Sequence, residues 1–291
     1  MSPANEVRKS KAERTAEARE KARLIREAQL KKDKRNKLLI GWGIVAAVVA
    51  ILAVVALVVT TSMQQNTPIA DQGPVPANAN VNGGVTLLAN TEVKKTDPAT
   101  VDMANVPAKP DTLPNPVVAP GAEAEAGQPV KIIAYIDFIC PACLQFEKAY
   151  NETLTSLRNE GKITVEYRPL GFLDRLSSTN YSSRSANAAA CVADKAPEKY
   201  AEYVNVLFDN QPAEGGAGLS DDKLKSLASD IGADINSCVD DKTFRPYVKY
   251  STELAENTGI TGTPTVFVDG KKWDGASDLN AEIQAAIDAK A

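Results

Sequence analysis

Histidine is absent from all 291 residues. That single absence removes Ser-His and Cys-His catalysis, histidine metal ligation and any imidazole proton shuttle. Cysteine is scarce: four residues, at 140, 143, 191 and 238. Zinc asks for four nitrogen or sulfur ligands in one place, and one C-x-x-C with two isolated cysteines makes a poor site. No metal and no cofactor is therefore expected. Aromatics are missing between residues 62 and 127, where nine prolines stand instead, so that stretch has little from which to build a core. Charge is missing from residues 38–59, a run of 22, long enough to span a bilayer as a helix.

What is present is distributed just as unevenly. The net charge of −4 splits into a basic head and acidic remaining segments, +7 over residues 1–37, −4 over 62–127 and −7 over 128–291. A chain divided by a membrane accounts for this better than nucleic-acid binding, and no nucleic acid is expected as a partner. The uncharged run exceeds the roughly 7–15 residues of a signal-peptide core, and neither a convincing A-x-A cleavage site nor a lipid-acceptor cysteine follows it. Its basic flank, residues 31–37, places the N-terminus in the cytoplasm and everything beyond residue 61 outside. The expected organisation is a basic cytoplasmic segment 1–37, helical from Asn5 and attracted to the lipid bilayer, then a transmembrane helix 38–60. A flexible linker 61–83 leads to a folded domain 84–291. All four cysteines then lie in the exported part, which matches an oxidising compartment.

Cys140-Pro141-Ala142-Cys143 is the feature that decides the chemistry. An apolar run at 130–137 reads as a strand buried on both faces, and the dithiol opens the helix after it. Residues three apart on a helix share a face, within disulfide reach. Pro141 suits the first helical position, where its missing N–H costs nothing. Cys140 then sits at the N-cap, where unpaired N–H groups stabilise a thiolate and lower its pKa. Cys140 is expected to be the exposed nucleophile and Cys143, beside Phe146, the buried resolving sulfur.

Downstream, residues 162–167 read as a second strand, parallel to the first through a βαβ connection. A helical block follows at about 171–242, marked by Tyr200, Tyr203, Val204, Leu207 and Phe208 and by Leu224, Leu227, Ala228 and Ile231. Phe244, Tyr247, Val248 and Leu254 mark a further helix. Residues 265–268 form a strand, Asp269-Gly270 a hairpin turn, residues 271–273 a return strand, and residues 279–287 a closing helix. Gly84-Val85-Thr86-Leu87-Leu88-Ala89 reads as a short strand that joins early.

This order, with Phe138-Ile139-Cys140-Pro141-Ala142-Cys143 and Gly259-Ile260-Thr261-Gly262-Thr263-Pro264-Thr265-Val266-Phe267-Val268, resembles the DsbA-like thiol-disulfide oxidoreductases. Phe172-Leu173-Asp174-Arg175-Leu176-Ser177-Ser178 and the run from Ser185 to Cys191 look closest to their membrane-anchored actinobacterial forms. The resemblance implies an α/β thioredoxin fold with a helical insertion, here preceded by one transmembrane helix and a flexible linker. It makes Pro264, after Thr263, the cis-proline beside which substrate binds. It also implies disulfide formation in unfolded exported proteins that carry free cysteines. A membrane quinone-linked reoxidant, DsbB-like or vitamin-K-epoxide-reductase-like, would complete the cycle. The chain departs from the family twice. Ala142 stands where a histidine is best known, and Ala134 where the family's buried acid falls. Asp137 is then a candidate proton acceptor for Cys143, the alternative being a strand-end carboxylate facing water.

Cys191 and Cys238 lie 47 residues apart in the helical block. They are expected to form a structural disulfide; the alternative is a second redox pair relaying electrons to the first. For the whole chain, a disulfide reductase or isomerase with the same residues, and a non-catalytic peptide-binding module, are the alternative readings.

Overall fold

The computed structural model describes residues 11–65, 68–125 and 127–290, which fall into two compact units, 1–61 and 62–291. Residues 1–10 of the basic segment, 66–67 of the expected linker, 126 and 291 lie outside the described residues, as does the expected helix start at Asn5.

The described residues of the first unit all lie in one helix, α1 (Lys11–Gln65), which runs on past residue 61. Its stretch Arg19–Val55 is, among the described residues, the one helix long and apolar enough to cross a membrane by length and composition. Large apolar side chains from Leu38 to Val55 are exposed, Trp42 at 68%. The charged head runs into the apolar stretch without a break, because no proline interrupts it.

The second unit is built on a six-stranded sheet of order β3-β2-β6-β5-β7-β8. Its strands are β2 (Val85–Ala89), β3 (Glu92–Val93), β5 (Val130–Ile136), β6 (Ile163–Pro169), β7 (Thr265–Val268) and β8 (Lys271–Lys272). β5 and β6 are parallel and every other pairing is antiparallel. β5 is buried on both faces, as its unbroken apolar run requires. Ile132, Ala134 and Ile136 join the large cluster under the helices, while Ile133 and Tyr135 join a smaller one with Phe267 and Leu170. Helix α2 (Pro141–Asn159) connects β5 to β6 and buries Cys143, Phe146, Glu147 and Leu154. The β7–β8 turn has positive φ at both Asp269 and Gly270, the geometry of a two-residue hairpin. β8 stops one residue short of the expected Trp273, whose N–H still donates to Val266 O at 2.9 Å.

The helical block comprises α3 (Tyr181–Lys195), α4 (Tyr200–Asp209), α5 (Asp221–Asp230) and α6 (Asn236–Asp240). It is followed by α7 (Arg245–Asn257) and, after the hairpin, α8 (Leu279–Asp288). α3 is buried along residues 181–193, which its small residues Ala186 and Ala188–Ala190 permit on every side.

The expected flexible linker 61–83 needs correction. From Gln72 onward the chain belongs to the folded unit: β1 (Gln72–Pro74) pairs with β4 (Thr100–Asp102), and Val75 N donates to Ala99 O at 2.9 Å. Val75 and Ala79 are core residues. Main-chain pairing and small side chains hold this segment, so it needs no aromatic residues. Gly84 passes so close to the Glu166 carboxylate that any side chain there would collide with it. Further on, fully buried Arg168 ties residue 120 to the sheet. Its guanidinium donates to Pro120 O at 2.7 Å, Glu166 Oε1 at 2.7 Å and Tyr135 Oη at 2.6 Å.

Candidate active site

The dithiol sits where β5 hands over to α2. Cys140 is the N-cap residue with extended backbone (φ −73°, ψ 118°), and Pro141 opens the helix. Cys143 N donates to Cys140 O at 3.1 Å and Leu144 N to the same oxygen at 3.3 Å, which starts the helical ladder. Both cysteines are free and buried. Cys140 keeps 6% of its surface and Cys143 none, so the expectation of an exposed Cys140 is corrected: it is the less covered of two buried cysteines.

Their environments differ in sign. Cys140 is lowered to about 6, chiefly by a hydrogen bond from the Cys143 thiol, against the opposing effect of burial. The Thr263 side chain and the N–H groups of Cys143 and Ala142 add to the lowering. Cys143 is pushed well above its ordinary value by burial first and by Cys140 second. One sulfur is thus suited to act as a thiolate near neutral pH and the other to stay a thiol.

The loop before β7 closes the site. The Thr263–Pro264 peptide bond is cis, and Cys140 Sγ donates to Thr263 O at 3.2 Å. Asp137 overturns the reading of a strand-end carboxylate facing water: it is fully buried. Its oxygens accept from Ile139 N at 3.1 Å and Leu173 N at 3.0 Å. The loop before α3 folds over the end of β5 and seals it. Burial raises Asp137 to about 7 despite those two donors.

Two residues escaped sequence reasoning. Gln211, just past α4, donates through Nε2 to Phe138 O at 3.1 Å and Cys140 O at 3.0 Å, tying the helical block to the dithiol turn. A lone glutamine after a helix carries no signal of that. Glu147 is buried one turn beyond Cys143 on the same face of α2, with Oε2 accepting from Tyr167 Oη at 3.1 Å and Oε1 without a hydrogen-bond partner. Its position between Phe146 and Tyr150 on the apolar stripe was a usable signal. Tyr167 pairs with Ala134 across β5 and β6, so Glu147 brings a carboxyl into the layer between α2 and the sheet that Ala134 faces. Cys191 on α3 and Cys238 on α6 are bonded, with Cα atoms 5.9 Å apart. Among the described residues no group of three or more His, Cys, Asp or Glu side chains is placed to hold a metal.

A pH dependence follows from the two buried acids. Burial raises Glu147 from 4.5 to about 7, so the folded chain keeps a proton there that the unfolded chain releases near 4.5. Between those values the native state binds more protons, and stability falls as pH rises. At about 1.4 kcal/mol per pKa unit, the share of Glu147 is about 3 kcal/mol. Glu147→Gln is expected to flatten the fall in unfolding free energy between pH 4.5 and 7, measured by denaturant titration. An unchanged pH profile would contradict the assignment.

The family model described as Thioredoxin matches residues 123–289. The serine/threonine-protein kinase PknE of Mycobacterium tuberculosis is 32% identical over 163 residues, which are 52% of this chain but only 28% of the kinase. Among solved structures, the reduced form of the M. tuberculosis disulfide bond oxidoreductase DsbG is similar at 30% identity and a TM-score of 0.50. The match covers 58% of this chain and 88% of that one. Reduced DsbA of the same organism is similar at 29% identity and a TM-score of 0.50, covering 58% and 93%.

Proposed function

The chain belongs to the thioredoxin family, and on that premise we propose that it is a membrane-anchored thiol-disulfide oxidoreductase that introduces disulfide bonds into exported proteins. The thioredoxin fold with a helical insertion and the DsbA-like neighbours support an enzyme of this class. The observation that carries the reading is the opposed pair of sulfurs: Cys140 lowered to about 6 at the helix tip, Cys143 buried one turn in and held as a thiol.

A substrate thiolate attacks Cys140 Sγ of the oxidised pair. The Cys140–Cys143 bond breaks, a mixed disulfide forms at Cys140, and Cys143 departs with the electron pair. Because burial makes a Cys143 thiolate costly, it takes up a proton, for which the buried, protonated Asp137 is the proposed donor. A second substrate thiolate then attacks the substrate sulfur of the mixed disulfide. The substrate leaves oxidised, and Cys140 departs as a thiolate without needing a proton. Two electrons now reside on the dithiol. A membrane quinone-linked reductase of the DsbB-like or vitamin-K-epoxide-reductase-like kind removes them, while Asp137 accepts the Cys143 proton. Thr263 and Pro264 border the path along which an extended substrate pairs its backbone with the chain.

Residues 38–60 of α1 cross the membrane, with the basic segment 1–37 in the cytoplasm by the positive-inside rule. The domain from Gln72 onward then lies outside, and the tether shortens to residues 61–71.

Replacing Cys143 with alanine while keeping Cys140 is expected to accumulate mixed disulfides, because the internal escape route from Cys140 is lost. The check is non-reducing electrophoresis after challenge with oxidised cysteine-containing proteins. Cys140→Ser in the same background abolishes the adducts. A folded Cys143→Ala variant that forms none would return the chain to the non-catalytic peptide-binding reading.

A further inference from the structure

Beside the dithiol lies a cavity of about 280 Å³. Thr263 belongs to both: it lines this cavity, and its carbonyl oxygen is 3.2 Å from Cys140 Sγ. Phe172, Leu173 and Ile260 are apolar residues of a lining that is otherwise mostly polar, and its charged residues are Lys109, Arg175 and Glu256. Lys109 and Arg175 are exposed, so their charged groups stay hydrated within reach of an incoming side chain; Arg175 Nη1 also donates to Phe172 O at 3.5 Å, which leaves its other guanidinium nitrogens for a partner.

Lys109 comes from a segment upstream of residue 123, outside the stretch that the family model matches. That segment is fastened on both sides of it. Asn257 Nδ2, at the end of α7, donates to Pro107 O at 2.8 Å. Leu113 and Val117 pack so closely on Gly259 that a Cβ there would lie 3.7 and 3.4 Å from them. Gly259 has φ +97°, a conformation that favours glycine over any L side chain, so the packing and the turn support each other. Lys109 is thereby held in the lining of a cavity that reaches the reacting sulfur through Thr263.

We infer that Lys109 and Arg175 form a specificity wall that favours substrates carrying an aspartate or glutamate within about three residues of the reacting cysteine. The inference rests on the thiol-exchange reading and deepens it. The occupant is an extended stretch of substrate protein whose sulfur meets Cys140. Such a chain advances about 3.3 Å per residue, so a side chain a few positions from the cysteine comes over the cavity as the backbone passes Thr263. Two cations against one carboxylate, Glu256, give this lining a positive balance. Residues 128–291 as a whole are acidic, at −7. The overall field therefore opposes an acidic peptide, and a preference for one at a single position must arise locally.

The test uses the full-length oxidised protein in lipid nanodiscs and a set of cysteine peptides. Each peptide bears Glu, Gln or Lys at one of three positions on either side of the cysteine. Rates of mixed-disulfide formation are divided by each peptide's rate toward a small disulfide, which removes the effect of its own thiol pKa. At one or two positions Glu is expected to exceed Gln by about three- to tenfold at low salt, falling toward parity at 1 M salt. In Lys109→Glu/Arg175→Glu the preference at those positions reverses to Lys, while the Gln peptides keep their rates. Equal rates for Glu, Gln and Lys at every position, with Gln peptides reacting normally, would overturn the specificity wall and leave thiol exchange standing. Failure of every peptide to react, with the protein folded and oxidised, would overturn thiol exchange and the wall together.

Discussion

Replacing Cys191 and Cys238 together with alanine is expected to lower the melting temperature of the folded unit by roughly 8–16 °C. The bond between them closes a loop with a sequence separation of 47. On the chain-entropy model that constraint stabilises the fold by about 4 kcal/mol, and a unit of this size loses roughly 2–4 °C per kcal/mol. The bond ties α3, buried along residues 181–193, to the short helix α6, which has only five residues with which to hold itself in place. At temperatures where the variant remains folded, mixed-disulfide formation at Cys140 is expected to proceed at the parent rate. Scanning calorimetry beside a thiol-exchange assay separates the two roles. An unchanged melting temperature with lost turnover would mean that Cys191 and Cys238 relay electrons instead of bracing the fold.

How much of this was legible in the sequence depends on the range of each interaction. The dithiol helix was, because Pro141 at the first helical position and a cysteine on each side of the turn are local facts. The β7–β8 hairpin was too, through Asp269-Gly270, and the helical block through its 3.6-residue periodicity. The strand at Val85–Ala89 was legible as well, but the order of residues 72–83, and of the strand at 100–102 that pairs with them, was not. That pairing joins residues 72–74 to residues 100–102, and main-chain hydrogen bonds between short polar strands leave no periodic trace. Absence of aromatics suggests absence of order, whereas the glycine here allows the main chain to lie close against a neighbouring ring, as at Gly73 against the Pro246 side chain.

The acids show the same limit at the site. Asp137 follows a strand, which by itself suggests a carboxylate in water. Its burial comes from a loop 36 residues away in sequence, whose Leu173 N–H donates to it. Ala134 suggested that no buried acid adjoins the dithiol. The structure replaces that expectation with two such acids, Asp137 and Glu147, the second reached through the helix instead of the strand. Both keep their protons to about pH 7. A buried neutral acid does not oppose a thiolate as a buried carboxylate would, so the correction leaves the bias at Cys140 standing below that pH.

In the proposed function, that bias sets the direction of the chemistry. The Cys140 thiol falls from 9.0 to about 6 in the folded protein, so the reduced form gains stability that is complete above pH 9 and lost as pH falls through 6. At pH 7, allowing for screening by water at the mouth of the site, the gain is about 1 kcal/mol. Since about 1.4 kcal/mol corresponds to 30 mV for a two-electron couple, this displaces the potential toward the oxidising side. Ala142 adds neither charge nor donor, which limits the displacement. The measurement that decides the account is the reduction potential of Cys140–Cys143 in a glutathione redox series at pH 7, with Cys191–Cys238 closed throughout. The expected value lies between about −220 and −120 mV, the oxidising side of the family's range. The reduced domain is also expected to be more stable than the oxidised one at the same pH. A potential near or below about −270 mV, where thioredoxin itself lies, together with a reduced form less stable than the oxidised, would contradict the oxidase and make this chain a reductase.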